Sequence, residues 1–360
     1  MPSSLQSITP ESLKQQLEAW HVPVYRADQI LRWVYRKQAN STEEMSNVPK
    51  SLRDRLQEGF ACFLPECVQK QGGEASTQKF LWRFHDGAMV ESVLIPASPA
   101  LYGEASDRHT LCVSTQVGCA YGCRFCASGL DGWKRNLEPE EIVGQLLATE
   151  RYFRLADGDA QARKVNNLVI MGMGEPMANY ENLMQALRII NAPWGCGIGA
   201  RKITISTSGL APRIEDLARE PFQFRLAISL HGATDAVRTQ IMPVNQKYPI
   251  QVLMDACQTY IRKKGKMITF EYILIEGVND GLEQVEPLAE WSRRMHAKVN
   301  LIPYNTVAGL PWKRPEEPVQ EAFLEQLLAK GVKATLRREK GHDIDAACGQ
   351  LRLRVEKNLP

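Results

Sequence analysis

The chain has 360 residues, 44% of them hydrophobic and 24% charged, a balance that excludes a fibre or a disordered polymer and leaves room for a sizeable buried core. A formal net charge of +3 and an isoelectric point near 8.3 permit a nucleic-acid partner without demanding one. No apolar run approaches the roughly 18 residues of a membrane span, and no basic segment leads into an apolar one at the N-terminus. A cytoplasmic protein with no membrane partner is therefore expected.

In chain order, Leu13, Leu17 and Trp20 fall at helical spacing, and Ile30, Leu31, Trp33 and Val34 form a second apolar cluster. These predict a small helical N-terminal accessory domain over residues 1–60. Alternating stretches at Lys79–Phe84 and Ala88–Pro96, divided by His85-Asp86-Gly87, predict a β-hairpin, and the polar run from Ala97 to Asp107 reads as a linker. Hairpin and linker together occupy 61–107. From about Thr110 short apolar runs alternate with helix-length stretches. The expected strands are Leu111–Gln116, Asn167–Met171, Lys202–Ser206, Phe224–Leu230, Ile268–Ile275 and Val299–Tyr304. The expected helices are Glu138–Phe153, Tyr180–Ile190, Ala211–Arg219, Pro249–Lys263, Leu282–Met295 and Glu317–Lys330. Six strand–helix units in succession predict an α/β fold over 108–360, with a parallel sheet that is open or curved into a partial barrel. In such folds chemistry gathers at the C-terminal ends of strands, where Cys119, Gly174, Ser206, Ser229 and Asn305 fall.

Nine cysteines, three of them within eight positions, favour metal binding or catalysis over a disulfide scaffold. Cys119, Cys123 and Cys126 have the spacing C-x3-C-x2-C. Three thiolates on one loop can hold three irons of a cubane, glycines 118 and 122 let the backbone wrap closely, and the fourth iron is left for an outside ligand. The alternative is a structural zinc ion, which asks for four closed ligands, and this loop contains no histidine. Gly172-Met173-Gly174-Glu175 lacks the lysine and spacing of a phosphate loop; it suits an edge whose backbone and carboxylate bind an ammonium group. Glu91, between Val90 and Val93 in the hairpin, reads on its own as a solvated residue, and Cys112, in an apolar strand, as a small core residue. Cys62, Cys67, Cys196 and Cys257 read as structural thiols. The basic residues Lys330, Lys333, Arg337, Arg338, Lys340, Arg352, Arg354 and Lys357 form either a solvated helix face or a phosphate-contacting patch.

The C-x3-C-x2-C loop resembles that of the radical S-adenosylmethionine (SAM) superfamily. The segments Cys112 to Leu137, Met171 to Pro176, Ser206 to Gly209 and Asp345 to Gln350 resemble, in order, the dual-specificity RNA adenine-C2 methyltransferases. Ser128-Gly129-Leu130-Asp131-Gly132 departs from the commonest wording of that family. The resemblance implies a partial (βα)6 TIM-like barrel and methylation of adenosine C2 in 23S rRNA and in tRNA. It implies a 4Fe–4S cluster on Cys119, Cys123 and Cys126, and two SAM molecules per turnover. Gly174, Glu175, Ser206, Ser229, Leu230, His231 and Asn305 would surround SAM. Cys348 would carry the methyl group, Cys112 would resolve the RNA adduct through a transient disulfide with Cys348, and Glu91 would accept a proton. An electron donor such as flavodoxin with its reductase, and a monomeric state, complete the expectation. Two alternatives use the same residues differently: an adenine-C8 methyltransferase, and a noncatalytic zinc-containing RNA-binding protein.

Overall fold

The computed structural model describes residues 3–62, 64–73, 76–97, 108–157, 163–337 and 350–356. Two short strands, β1 (Ser3–Ser4) and β2 (Phe60–Ala61), pair in parallel around the helices Pro10–Ala19, Arg26–Tyr35 and Lys50–Gly59. The first helix starts where sequence rules allow it to. Thr9 accepts a hydrogen bond from Ser12 N, and Pro10 supplies a first position that needs no N–H donor. Leu13, Leu17, Ile30, Leu31 and Val34 are buried and continuous with the main core. Arginines tie these helices to the rest of the chain: Arg151 forks onto Glu44 at 2.8 and 3.0 Å, and Arg36 donates to the Pro193 carbonyl at 2.6 Å.

The main sheet has ten strands. Antiparallel β3 (Glu66–Gln71), β4 (Gln78–Arg83) and β5 (Met89–Pro96) lead into parallel β6 (His109–Cys112), β9 (Asn167–Ile170), β10 (Ile203–Thr207), β11 (Arg225–Ser229), β12 (Thr269–Leu274), β13 (Lys298–Pro303) and β14 (Ala334–Leu336). A separate antiparallel pair, β7 (Gln116–Gly118) and β8 (Trp133–Asn136), carries the cysteine loop between its strands. Helices between the parallel strands cover the outer face, as crossover connections require. Inward-facing residues from the ends of β10 to β13 line one common cavity, the arrangement of a sheet curved into a partial barrel.

All six expected parallel strands form, shifted by a residue or two. The expected run Leu111–Gln116 breaks, because Val113 to Thr115 leave the sheet. There Ser114 Oγ donates to the Glu91 carbonyl at 2.6 Å and accepts from Met173 N at 2.9 Å, and Gln116 goes on to pair with Asn136. The hairpin is part of the main sheet, with β3 added on its outer side. β14 extends the barrel by a strand that the sequence did not announce. The expected linker lies mostly outside the described residues.

Candidate active site

The cysteine loop leaves β7 at Gly118, which sits at φ +76°; a Cβ there would lie 2.0 Å from the Gly132 carbonyl oxygen, so only glycine fits. Cys119 N donates to that same carbonyl at 3.0 Å, Arg124 N donates to Ile241 O at 2.9 Å, and Trp312 Nε1 donates to Arg124 O at 3.0 Å. Anchored along its length in this way, the loop lines a cavity of about 330 Å³ with Cys119, Cys123 and Cys126. Burial pushes the Cys119 thiol up to about 12 and raises that of Cys123 as well, so the pocket by itself disfavours thiolates. Cationic iron would supply the compensating charge.

Across the cavity, Glu175 is buried, and burial raises its carboxyl above the usual range. Backbone donors oppose that: Ser208 N at 2.7 Å and Met177 N at 3.0 Å. Gly174, at φ +93°, lets the turn close against Gln116, whose Cβ would sit 2.4 Å from a methyl there. Gln116 Oε1 in turn accepts from Glu175 N at 2.8 Å. Ser206 and Ser229 face each other with their hydroxyls 3.4 Å apart, and Asn305 lines the same cavity.

His231 adopts φ 56°, and its Nδ1 accepts from Ile273 N at 3.0 Å, which leaves the ring proton on Nε2. Burial first, and Arg238 second, push it down to about 3, so it is a neutral donor. Phe125 stands edge-on to the ring at 4.9 Å. Leu230 differs from the expected set, being fully buried and absent from the cavity lining.

Two residues that organise the site carry no sequence signal. Arg238, fully buried on the helix Asp235–Ile241, donates to the Ser229 carbonyl at 2.8 Å and also to the carbonyls of Leu230 and Ser208. It thereby clamps the ends of β10 and β11. Gln145 receives Ser92 Oγ at 2.9 Å and Ser114 N at 2.8 Å on one oxygen, and donates to Ser114 O at 3.0 Å, knitting β5 to the segment after β6. In sequence each is one polar residue on an amphipathic helix, a pattern that usually means solvent exposure.

Glu91 corrects the reading of a solvated hairpin residue: it is 2% exposed. Lys79 Nζ lies 2.9 Å from its Oε2, and Arg352 N donates to its Oε1 at 2.8 Å. Cys112, buried as expected, pairs with Val93 across β5 and β6, so Cys112 and Glu91 project from the same face of the sheet. Arg352 belongs to the helix Gln350–Glu356, which begins two positions after Cys348 in the sequence. Cys348 itself lies outside the described residues. Of the basic C-terminal group, Arg352 is fully buried, with Glu356 at 2.6 Å and Asp131 at 3.7 Å, and Lys330 is paired with Glu286. Arg352 is thereby withdrawn from contact with phosphates. Cys196 and Cys257 are buried and Cys62 and Cys67 half-buried, as structural thiols would be.

The donor set fits a cubane with SAM. Three thiols and a fixed carboxylate face one cavity of ligand size. Residues 113–291 match the family profile of the radical SAM superfamily, and residues 4–62 match that of the ribosomal RNA large subunit methyltransferase N-terminal domain. The chain belongs to the RlmN family of radical SAM methyltransferases. It is 52% identical to an Opitutus terrae protein over 97% of this chain and 94% of that one, and 44% identical to a Geobacillus kaustophilus protein over 98% and 93%. The first bears the name "Probable dual-specificity RNA methyltransferase RlmN 3" and the second "Probable dual-specificity RNA methyltransferase RlmN". The crystal structure of a radical SAM methyltransferase from Sphaerobacter thermophilus superposes with a TM-score of 0.89 at 43% identity, covering 97% of this chain and 99% of that one. No described helix of this RlmN-family chain is long and apolar enough to cross a membrane.

Proposed function

We propose that the chain methylates C2 of adenosine in RNA, at adenosine 2503 of 23S rRNA and adenosine 37 of tRNA, through a methyl group carried on Cys348. The observation that supports this best is the convergence of Cys119, Cys123, Cys126 and Glu175 on one cavity, in a chain whose relatives share that name along nearly their whole length. Adenine C2 is electron-poor, and a polar attack from it on a sulfonium methyl would be very slow. Bound in this cavity, a 4Fe–4S cluster with SAM supplies the one-electron chemistry that such a carbon needs.

The chain's own residues do the rest. The three cysteines hold the cluster, and Gly174 and Glu175 receive the methionyl ammonium. Ser206, Ser229 and Asn305, the Nε2–H of neutral His231 and the backbone near Leu230 surround the remainder of the cofactor. Cys348 would carry the methyl group as a thioether formed from SAM, and the chemistry supplied by the bound cluster and a second SAM would remove one hydrogen from that carbon so that it can join C2. Glu91, held by Lys79 and by Arg352 N, would take the C2 proton, and Cys112 would attack the Cys348 sulfur, forming a Cys112–Cys348 disulfide as the sulfur–carbon bond breaks and the freed carbon takes up a proton as the methyl group of the base. The electrons come from a donor such as flavodoxin with its reductase, and the protein works as a cytoplasmic monomer. In the proposed division of the chain, residues 1–60 are an accessory domain, 61–107 a hairpin and linker, and 108–360 the catalytic core.

The test uses anaerobically reconstituted protein, an unmodified RNA fragment and nucleoside mass spectrometry. 2-Methyladenosine is expected, and 8-methyladenosine would transfer the chain to the C8 reaction. Cys112→Ala should trap an RNA–protein crosslink that disappears in Cys112→Ala/Cys348→Ala. Free methylated product at the wild-type rate would remove Cys112 from the mechanism.

A further inference from the structure

β12 and β13 pair so that Glu271 lies opposite Asn300 and Ile273 opposite Ile302, and all four line the cavity. Alternation along a strand puts residues two apart on one face, so the polar pair lies one step deeper and the isoleucines lie beside it toward the C-terminal ends of the strands. Asn300 Nδ2 donates to Glu271 Oε2 at 2.8 Å, and Thr335 Oγ1 donates to Asn300 Oδ1 at 3.3 Å, which fixes the amide. Glu271 is 6% exposed, yet its Oε1 accepts no protein hydrogen bond among the described residues. None of the roles assigned above uses this pair.

We propose that Glu271 and Asn300 form a second polar subsite of the cavity, which reads the 6-amino edge of an aminopurine ring. Ile273 and Ile302 offer an apolar wall for the flat face of such a ring, while Glu271 Oε1 accepts an N–H from its exocyclic amine. Arg337, which also lines the cavity, supplies a donor suited to a ring nitrogen. An ammonium group is already served by Glu175 on the other wall, and a ribose diol has no flat face to lay against two isoleucines. Burial raises the Glu271 carboxyl above its usual range, with Asn300 and Arg337 opposing, so accepting a ligand N–H offsets a desolvation that the protein alone leaves uncompensated. The inference rests on the RNA-methylation reading, in which two aminopurines enter the reaction: the target adenine and the adenine of SAM.

The experiment has an arm for each source. In the first, wild-type protein methylates an RNA carrying either adenosine or purine riboside, which lacks the amine, at the target position. In the second, binding of SAM is compared with binding of its 6-deamino analogue by equilibrium dialysis without RNA. If the pair serves the target base, the purine RNA should react at least about 10-fold more slowly, and Glu271→Leu should bring the two RNAs within about 3-fold of each other. If it serves the cofactor, wild type should prefer SAM by a similar factor and the variant should lose the preference. Either pattern upholds the aminopurine subsite. Wild-type protein that treats amino and deamino partners alike in both arms overturns it, and those comparisons need no variant to fold. Unmodified RNA left unmethylated would count against the functional reading instead, and the dialysis arm would then decide the subsite alone.

Discussion

At the scale of single residues, the cavity departs most from ordinary surface chemistry at His231. Its ring is neutral because burial removes the solvation a cation needs, and because Ile273 N occupies Nδ1 as a donor. The unfolded chain, with a free imidazole near pKa 6.5, binds a proton that the folded chain refuses until about pH 3. Folding stability therefore falls as the pH drops below about 6.5. His231→Asn suits the left-handed backbone at this position and removes the titrating group. It is expected to lower the melting temperature at pH 7.5, through loss of the Phe125 contact, and to shrink the further drop between pH 7 and pH 5. Thermal scans at pH 7.5, 7 and 5 check this; an unchanged acid-side drop would show that other groups carry it. Cys119, Cys123 and Cys126 could be singled out in sequence because three thiols crowded into eight positions suit few tasks besides holding metal, and all three line the cavity. Arg238 and Gln145 could not, since nothing local marks a polar helix residue whose partners are carbonyls and amides of distant strands.

Secondary-structure elements were legible where apolar periodicity and burial agree. The helix Ala211–Arg219 has the expected limits, with Ile214, Leu217 and Ala218 inward. β3 was missed because an edge strand keeps polar residues on both faces, as Glu66, Gln69 and Lys70 do, and so shows no alternation, and β14 because its three residues are too few to show a period. Glu91 was misread for a related reason: its strand alternates, but the face expected to meet solvent is covered by the helix Gln350–Glu356 and by Lys79. That cover has an energetic signature. Lys79 and Glu91 are both almost fully buried and 2.9 Å apart, so losing either partner of the pair is costly, and losing Glu91 also removes the acceptor of Arg352 N. Lys79→Met and Glu91→Leu should each destabilise the protein in urea unfolding, and Lys79→Met/Glu91→Leu should cost less than the sum of the two single variants. A double variant that costs the full sum would mean that the pair is not coupled.

Over the whole molecule, the chain must bring a large polyanion to a cavity whose wall is mainly apolar side chains and uncharged hydroxyls, and its net charge of +3 gives little general attraction. Local arrangement has to compensate. The N-terminal helices carry cations laid over aromatic rings: Lys37 Nζ is 3.7 Å from the centre of the Trp33 ring, and the Arg55 and Arg26 guanidinium carbons are each 4.9 Å from the centres of the Trp20 and Tyr25 rings. Such pairs hold a positive charge in a fixed place at the surface, where it can meet a phosphate. These helices are also joined to the barrel by Arg151 and Arg36, so force applied to them by RNA is passed to the core and not absorbed in a slack linker. Lys37→Glu/Arg55→Glu is accordingly expected to weaken binding of the tRNA anticodon stem-loop and of the 23S rRNA fragment by about 10-fold or more at low salt. It should also reduce the slope of log affinity against log salt by about 1 to 2, because up to two phosphate contacts are lost. SAM cleavage without RNA should be unaltered, since neither residue approaches the cavity. Filter binding across a salt series, run beside a 5′-deoxyadenosine assay, separates the outcomes: an unchanged slope would place the RNA on another face, and lost cleavage would show that the substitutions had disturbed the fold.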